Sequence, residues 1–511
     1  ANGAPHLQGT ITLANTYAAC LEQSGFRIFW SICALRNKQV FGSDAVNAFA
    51  EAPPPKSPLY LKVDAAFRNW YLERYNIDLP EDTYVKVNHA IQGHPEAPRL
   101  WQDHVDGILR KLQFKPTFHE PCIYSRTLDS GEEVFLLRQV DDFAIACDDF
   151  STATQIWDEI DHHLKEPLKR ETGCITRHNG INVLQTKHYI RIHCADYIEK
   201  ITSTKQFSME PNHNLPIPMN NDNAYMTMLE TTKGPTDPVE RQQLEDEMGF
   251  GYCNATGELI FAMVTCRAEI SFAVIKLTQF NNCPARCHFE SVKQLYRFLH
   301  ATKYDGLTFW RPTPSKSLPF HPWPHINVES YSIKIPKESK IFDIAFCIKD
   351  SDWAGAKDSR RSVSGMTIHF AGAAVIYKTI IQRVIALSST EAEFYALAEA
   401  GKLVLYLRMV LADLGFVQIQ PTAVYEDNRG ALQVTQASKP TKRMRHVETR
   451  YFAILQWIEN DFIQVLKIDS ADNTADILTK PTGRILFYRH SDTITGKRTP
   501  LYVNYCEERN N

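Results

Sequence analysis

Between Arg311 and Pro336 the chain carries Pro312, Pro314, Pro319, Pro322, Pro324 and Pro336, a density that no helix interior or central strand tolerates. The stretch from about Met209 to Glu247 holds Pro211, Pro216, Pro218, Pro235 and Pro238 among Asn and Thr, and reads as a long loop or linker. Whatever folds must therefore fold in blocks. Three blocks suit the 511 residues, which the length prior divides into two to four domains. With 44% apolar, 23% charged and 11% aromatic residues, and no run near the roughly 18 uncharged apolar residues of a membrane span, the chain reads as soluble and globular. A net charge of −3 gives no basic footprint overall, although a basic groove can be cancelled by acids elsewhere. The 12 cysteines are scattered singly, as buried thiols of a reducing compartment are. The chain starts at Ala1 without the basic region or apolar core of a signal peptide, so the expectation is a fragment of something longer.

The first block mixes helix and strand. Arg99 to Leu112 sets Leu100, Val105, Ile108 and Leu112 at helical spacing, while Val134 to Leu137 and Phe143 to Ala146 flank Val140-Asp141-Asp142 as an apolar hairpin with acids at its tip. The middle block, Thr256 to Phe309, offers two helical stretches, around Leu259 to Phe280 and Phe289 to Ala301. It carries no chemical motif. The last block predicts a strand from Ile341 to Ile348 ending at Asp350, and two more strands joined at Ala371-Gly372. A capping box at Ser388-Ser389-Thr390-Glu391 then opens a helix closed by Gly415. A strand meeting Glu426-Asp427-Asn428, a helix, a strand from Phe462 to Ile468 and a final helix starting near Asp476 complete an α/β layer pattern.

Asp350, Glu393, Asp427 and Asp476 each fall at a strand end or in the first turns of a helix, where α/β sheets place their sites. Four converging carboxylates raise each other's pKa unless a cation joins them. Mg2+ is the natural partner, being hard and oxygen-liganded, and two such ions ~4 Å apart suit phosphodiester cleavage. Each acid alone would read as a solvated helix-start residue. Asp44 and the Asp141-Asp142 pair suggest a second site, although by spacing alone turn or cap residues explain them better, and Phe49 by itself reads as a core aromatic.

These residues carry a resemblance. Asp350 to Gly355 (DSDWAG), Asp358 to Gly365 (DSRRSVSG), Ala386 to Phe394 (ALSSTEAEF), Glu426-Asp427-Asn428 and Thr474 to Lys480 (TADILTK) resemble the ribonuclease H domain of Ty1/copia retrotransposon polyproteins. Tyr252 to Ile270 (YCNATGELIFAMVTCRAEI) is similar to the family's connection segment, and the first block looks like its reverse transcriptase. The resemblance implies an α/β (α+β) fold with fingers, palm and thumb, a connection segment and a C-terminal ribonuclease H-like domain. It implies a division into 1–208 (fingers and palm), 209–310 (thumb and connection), 311–340 (Pro-rich linker or insert), 341–482 (ribonuclease H-like) and 483–511 (tail).

The implied activity is RNA-directed DNA polymerisation, with degradation of the RNA strand of the hybrid. Two Mg2+ per site, or Mn2+, would be held by Asp44, Asp141 and Asp142 in the polymerase and by Asp350, Glu393, Asp427 and Asp476 in the nuclease. Asp44 and Asp141 would bridge the polymerase metals, with Asp142 more peripheral. Phe49 matches the bulky residue that crowds a sugar 2′ position, and Gln92 and Gly93 begin the loop that touches the incoming dNTP. Asn179-Gly180-Ile181 to Tyr189 resembles the segment that holds the primer. Gln139 departs from the pattern, since most relatives carry Tyr or Phe before Val-Asp-Asp. The implied partners are an RNA template, a DNA primer and product, the RNA:DNA hybrid and dNTPs, with no membrane. The implied location is a cytoplasmic particle with a later nuclear stage. A decayed element acting only as a nucleic-acid-binding or interaction protein is the alternative.

Three other motifs read as decoys. Asp129-Ser130-Gly131 has the aspartic-protease triplet but is followed by Glu132 and Glu133, as a turn would be. Cys283, Cys287 and His288 lack a second ligand cluster at zinc spacing. His446, among Lys442, Arg443 and Arg445, fits a phosphate contact and a solvated helix start equally.

Overall fold

The computed structural model describes residues 16–56, 58–211, 216–312, 345–353, 355, 360–436 and 448–498. The Pro-rich stretch after Pro312, Asp358 and Ser359, and the basic run around His446 lie outside the described residues. The fold is mixed α/β. Two compact units form: unit 1 is Ala1–Glu22 with Val40–Gly173, and unit 2 is Gln23–Gln39 with Cys174–Asn511.

Unit 1 is built on β1 (Gln39–Asp44), a small β2 (Tyr60–Lys62) and β3 (Tyr84–Lys86) ribbon, then β4 (Lys115–Pro116), β5 (Ile123–Thr127), β6 (Glu133–Gln139), β7 (Asp142–Cys147) and β8 (Lys169–Cys174). The main sheet has the order β4-β5-β6-β7-β1-β8. The expected apolar hairpin is present: β6 and β7 pair antiparallel from Phe135↔Ala146 to Gln139↔Asp142, and Val134 to Leu137 and Phe143 to Ala146 are all buried. Two-sided burial explains the continuous apolar runs. The Asp129-Ser130-Gly131 triplet is the β5–β6 turn, where Gly131 has φ 85° and donates its N–H to Leu128 O at 2.9 Å. A helix at Ala97–Lys111 starts with Pro98 in its first turn, where no intrahelical N–H is needed, and buries Trp101, Val105, Ile108 and Leu109. A second, Phe150–Asp161, is capped by Asp149 accepting from Thr152 N at 2.9 Å, and buries Ala153, Ile156, Trp157 and Ile160.

In unit 2, β9 (Arg177–His178), β10 (Ile181–Gln185), β11 (Tyr189–His193) and β12 (Gly306–Trp310) form an antiparallel sheet. Asn179 (φ 49°) and Gly180 (φ 76°) make the two-residue turn between β9 and β10, the left-handed pair that such hairpins favour. The expected loop from 209 to 247 contains two helices instead, Asn223–Thr231 and Pro238–Met248. Its prolines mark boundaries. Asp222 caps Tyr225 N, Asp237 caps Val239 N and Glu240 N, and Pro238 occupies the first helical position, where it is tolerated.

The single stretch expected over 259–280 is broken into Tyr252–Thr265 and Ser271–Thr278. At the break, the fully buried Arg267 reaches Glu269 at 2.5 Å and Thr302 O at 3.1 Å, pairings that a continuous helix would not allow with Arg267 at this place. His288 is a cap and not a ligand: its Nδ1 accepts from Ala285 N at 2.8 Å, which leaves Nε2 to donate to Leu229 O at 2.8 Å.

The C-terminal sheet holds β13 (Phe346–Asp352), β14 (Val363–Phe370), β15 (Ala373–Ile381), β16 (Thr422–Glu426) and β17 (Ile463–Lys467) in the order β15-β14-β13-β16-β17. The first three pair antiparallel, whereas β13-β16 and β16-β17 are parallel. The β13 strand runs past the expected end at Asp350 because Ser351 and Asp352 still pair with Ser364 and Val363. A long helix, Ser389–Asp413, opens at Ser388, whose Oγ accepts from Glu391 N at 3.2 Å, while Glu391 Oε2 accepts from Leu387 N at 2.7 Å. Asp476 starts only a four-residue helix, Asp476–Thr479, and a further helix, Arg484–Ile494, follows with Phe487 and His490 buried. No helix among the described residues is long and apolar enough to cross a membrane.

Candidate active sites

In unit 2 the parallel pairing of β13 and β16 does the positioning. Ile348 is the partner of Tyr425, so Asp350 and Asp427, each two residues further on, sit level at the carboxyl ends of neighbouring strands. Glu393 enters from the first turns of Ser389–Asp413. One ligand oxygen of each of Asp350, Glu393 and Asp427 lies within 4.8 Å of the other two, the one such trio among the described residues. These are all hard oxygen donors, and a Mg2+ or Mn2+ ion fits that set.

Asp476 lies beside the trio without joining it, and its carboxylate pairs with Lys480 at 3.2 Å. Burial, and next the charge of Asp350, push Asp476 up to about 7. Burial also lifts Glu393 to about 8, although Lys349 pulls in the opposite direction. Asp350 is held in place, its Oδ2 accepting from Thr479 Oγ1 at 2.5 Å and its Oδ1 from Asn473 Nδ2 at 3.5 Å. Gly365 makes this approach feasible: a Cβ there would lie 2.8 Å from Leu478 Cβ and 2.8 Å from Thr479 Cγ2.

In unit 1, Asp44 ends β1 and Asp141-Asp142 turn from β6 into β7, the neighbour of β1 in the sheet. Ala45 N donates to Asp141 O at 2.9 Å. Burial and then Asp141 push the Asp44 carboxyl up, with Lys169 opposing, and burial followed by Asp141 and Asp44 raises Asp142. The three acids feel one another, yet their oxygens do not gather within 4.8 Å as the other trio's do. Val140 occupies the turn with φ 57°, a costly value for a β-branched residue, and Trp101 Nε1 donates to its carbonyl at 2.7 Å. Phe49 is half-buried in the short helix Ala48–Glu51, outside the fully buried core. Gln92 and Gly93 are exposed in a turn where Gly93 has φ 86°.

The sequence reading missed the residues that support these acids: Trp101 behind the turn, Thr479 and Asn473 on Asp350, and above all Lys349, buried between Glu393 and Glu426. A buried lysine adjoining Asp350 carries no periodic signal, because its partners arrive from distant parts of the chain.

Residues 8–221 match the family described as reverse transcriptase (RNA-dependent DNA polymerase). The chain is 27% identical over 404 residues to the retrovirus-related Pol polyprotein from transposon TNT 1-94 of Nicotiana tabacum, covering 79% of this chain and 27% of that protein. It is 24% identical over 490 residues to the corresponding polyprotein from transposon RE1 of Arabidopsis thaliana, covering 95% of this chain and 29% of that protein. The chain thus spans less than a third of the length of these relatives. Among solved structures, the foamy viral protease-reverse transcriptase in complex with dsDNA aligns over 91% of this chain and 74% of its own, with 12% identity and a TM-score of 0.42. The matched family and these relatives point the same way: over most of its length the chain is similar to the Pol polyproteins of Ty1/copia-type retrotransposons.

Proposed function

We propose that the chain is an RNA-directed DNA polymerase with ribonuclease H activity, its two centres lying in different units. The observation that carries the nuclease half is the convergence of Asp350, Glu393 and Asp427 at the ends of parallel strands. The polymerase half rests on the matched family and on Asp44 facing the strained Val140-Asp141-Asp142 turn from the adjacent strand. In the division by function, 1–208 is fingers and palm, 209–310 thumb and connection, and 341–482 the ribonuclease H-like part.

Asp350, Glu393 and Asp427, with Asp476 alongside, would hold Mg2+ or Mn2+ in the nuclease, and Asp44, Asp141 and Asp142 in the polymerase. When bound, paired ions supply an activated nucleophile and charge stabilisation for in-line displacement at phosphorus. The protein's part is placement. Thr479 and Asn473 fix the carboxylate of Asp350, and Lys480 offsets the charge of Asp476. Lys378 and Arg383 line a cleft of about 440 Å³ with Gln382 and Tyr395, two residues along the helix from Glu393, where Lys402 pairs with Glu399 at 2.8 Å, and the first two cations suit the phosphates of a bound duplex. Phe49 would exclude a 2′-hydroxyl, and Gln92 and Gly93 would contact the incoming dNTP. The partners are an RNA template, a DNA primer and the hybrid they form, met in the cytoplasm.

The test is a primed RNA template with labelled dNTPs and Mg2+, run beside a labelled RNA:DNA hybrid. Asp141→Asn should abolish synthesis and leave hybrid cleavage, and Glu393→Gln should do the reverse. Loss of both activities from either folded variant would refute the two-centre reading.

A further inference from the structure

Lys349 is an ammonium group with no exposed side-chain surface, and it lies beside the acidic trio. Nζ donates to Glu393 Oε2 at 2.7 Å and to the main-chain oxygen of Glu393 at 3.2 Å, and it is ion-paired with the carboxylate of Glu426. Glu426 is itself completely buried, and its Oε1 accepts from Asn428 N at 2.9 Å. The three attachments have a pattern. Lys349 precedes Asp350 on β13, Glu426 precedes Asp427 at the end of β16, and Glu393 belongs to the long helix, so one Nζ ties together every element that brings a carboxylate to the trio.

A carboxylate anchored through one oxygen presents the other in a fixed direction, whereas an unanchored one rotates freely about its last bond. Lys349 engages Oε2 of Glu393 and leaves Oε1. We propose that Lys349 is the positioning residue of this centre, holding Glu393 by one oxygen so that only Oε1 is offered to a divalent cation, while it balances the buried charge of Glu426. The proposal rests on reading Asp350, Glu393 and Asp427 as a cation site, and it adds how one of those ligands is aimed. Partners that orient a metal ligand typically change metal affinity by roughly 10–100-fold when removed.

The test uses Mn2+ titration calorimetry and thermal melting on the full chain, with Asp350→Asn as the reference for this centre. If Asp350→Asn loses no Mn2+ heat relative to the unsubstituted chain, the cation-site reading fails, whatever Lys349 does. If it does lose heat, Lys349→Met should weaken that component by about 10–100-fold and lower the melting temperature. Lys349→Met/Glu426→Leu removes both buried charges, and exchanging a buried ion pair for apolar groups commonly restores stability. The double variant should regain its melting temperature and still bind Mn2+ weakly, because Glu393 remains unanchored. Recovery of Mn2+ affinity along with stability would assign Lys349 to the fold alone and overturn the proposal, as would unchanged affinity in Lys349→Met.

Discussion

Phe49 and Val140 show how single residues separate function from packing. A Phe inside a core would cost roughly 3–5 kcal/mol to truncate, but Phe49 is half-buried on a four-residue helix. Phe49→Val should therefore leave the melting temperature within a few degrees and raise the ratio of rNTP to dNTP incorporation. An unchanged ratio would remove Phe49 from the nucleotide site. Val140 makes the complementary case, since a β-branched residue at φ 57° is kept there against its preference, and the bond from Trp101 to its carbonyl is what holds it. Periodicity marked the strand ends and helix starts on which the acids fall, while their grouping into two sites was implied by the resemblance and not by spacing alone. Val140 and Lys349 were not legible in the sequence: one violates a backbone preference and the other a burial preference, and both are satisfied only by partners distant in the chain.

Elements were legible where a boundary residue and a periodic run agreed. Ser388 with Glu391 announces the long helix, and Leu414 and Gly415 (φ 83°) end it as expected. The reading failed at 209–247, where proline density outweighed two good caps, Asp222 and Asp237, and where Pro238 starts a helix instead of forbidding one. It also failed to see that Asp476 depends on a very short helix pressed against β14. Gly365→Ala tests that dependence, because the added Cβ would meet Leu478 and Thr479 at 2.8 Å and must displace the segment bearing Thr479 and Asp476. Overpacking of this kind costs about 1–3 kcal/mol. Denaturant unfolding should show that loss, and hybrid cleavage should fall while DNA synthesis persists. Equal loss of both activities would mean that Gly365 serves general stability only.

At the scale of the molecule, unit 2 is sensitive to acid. His178, His193 and His490 are pressed down to about 4, and His369 to about 3, in each case first by burial. A base whose folded pKa lies below the ordinary 6.5 contributes stability that is whole above about 6.5 and is lost as pH falls toward the folded value. Melting temperatures measured from pH 7.5 down to 4.5 should therefore drop across that window with or without EDTA, since none of these histidines belongs to the acidic trio. A flat profile would mean that these rings find compensating partners when charged.

The division of the chain adds a further consequence. Gln23–Leu35 is buried almost throughout, yet it belongs to unit 2, where Arg27 donates to Val375 O at 2.7 Å and stacks over the Tyr377 ring at 4.3 Å. Chain ending at residue 312 should therefore be insoluble or aggregate on purification, and supplying 345–498 in trans should rescue part of it. A soluble, monomeric 1–312 would contradict this. During synthesis the helix leaves the ribosome hundreds of residues before its strand partner at Val375, so its apolar surface must wait in a growing chain, exposed to chaperones and to neighbouring nascent chains. For this protein, translation speed and chaperone supply become determinants of yield, and a premature stop codon anywhere before β15 would release an adhesive product, not a smaller working enzyme.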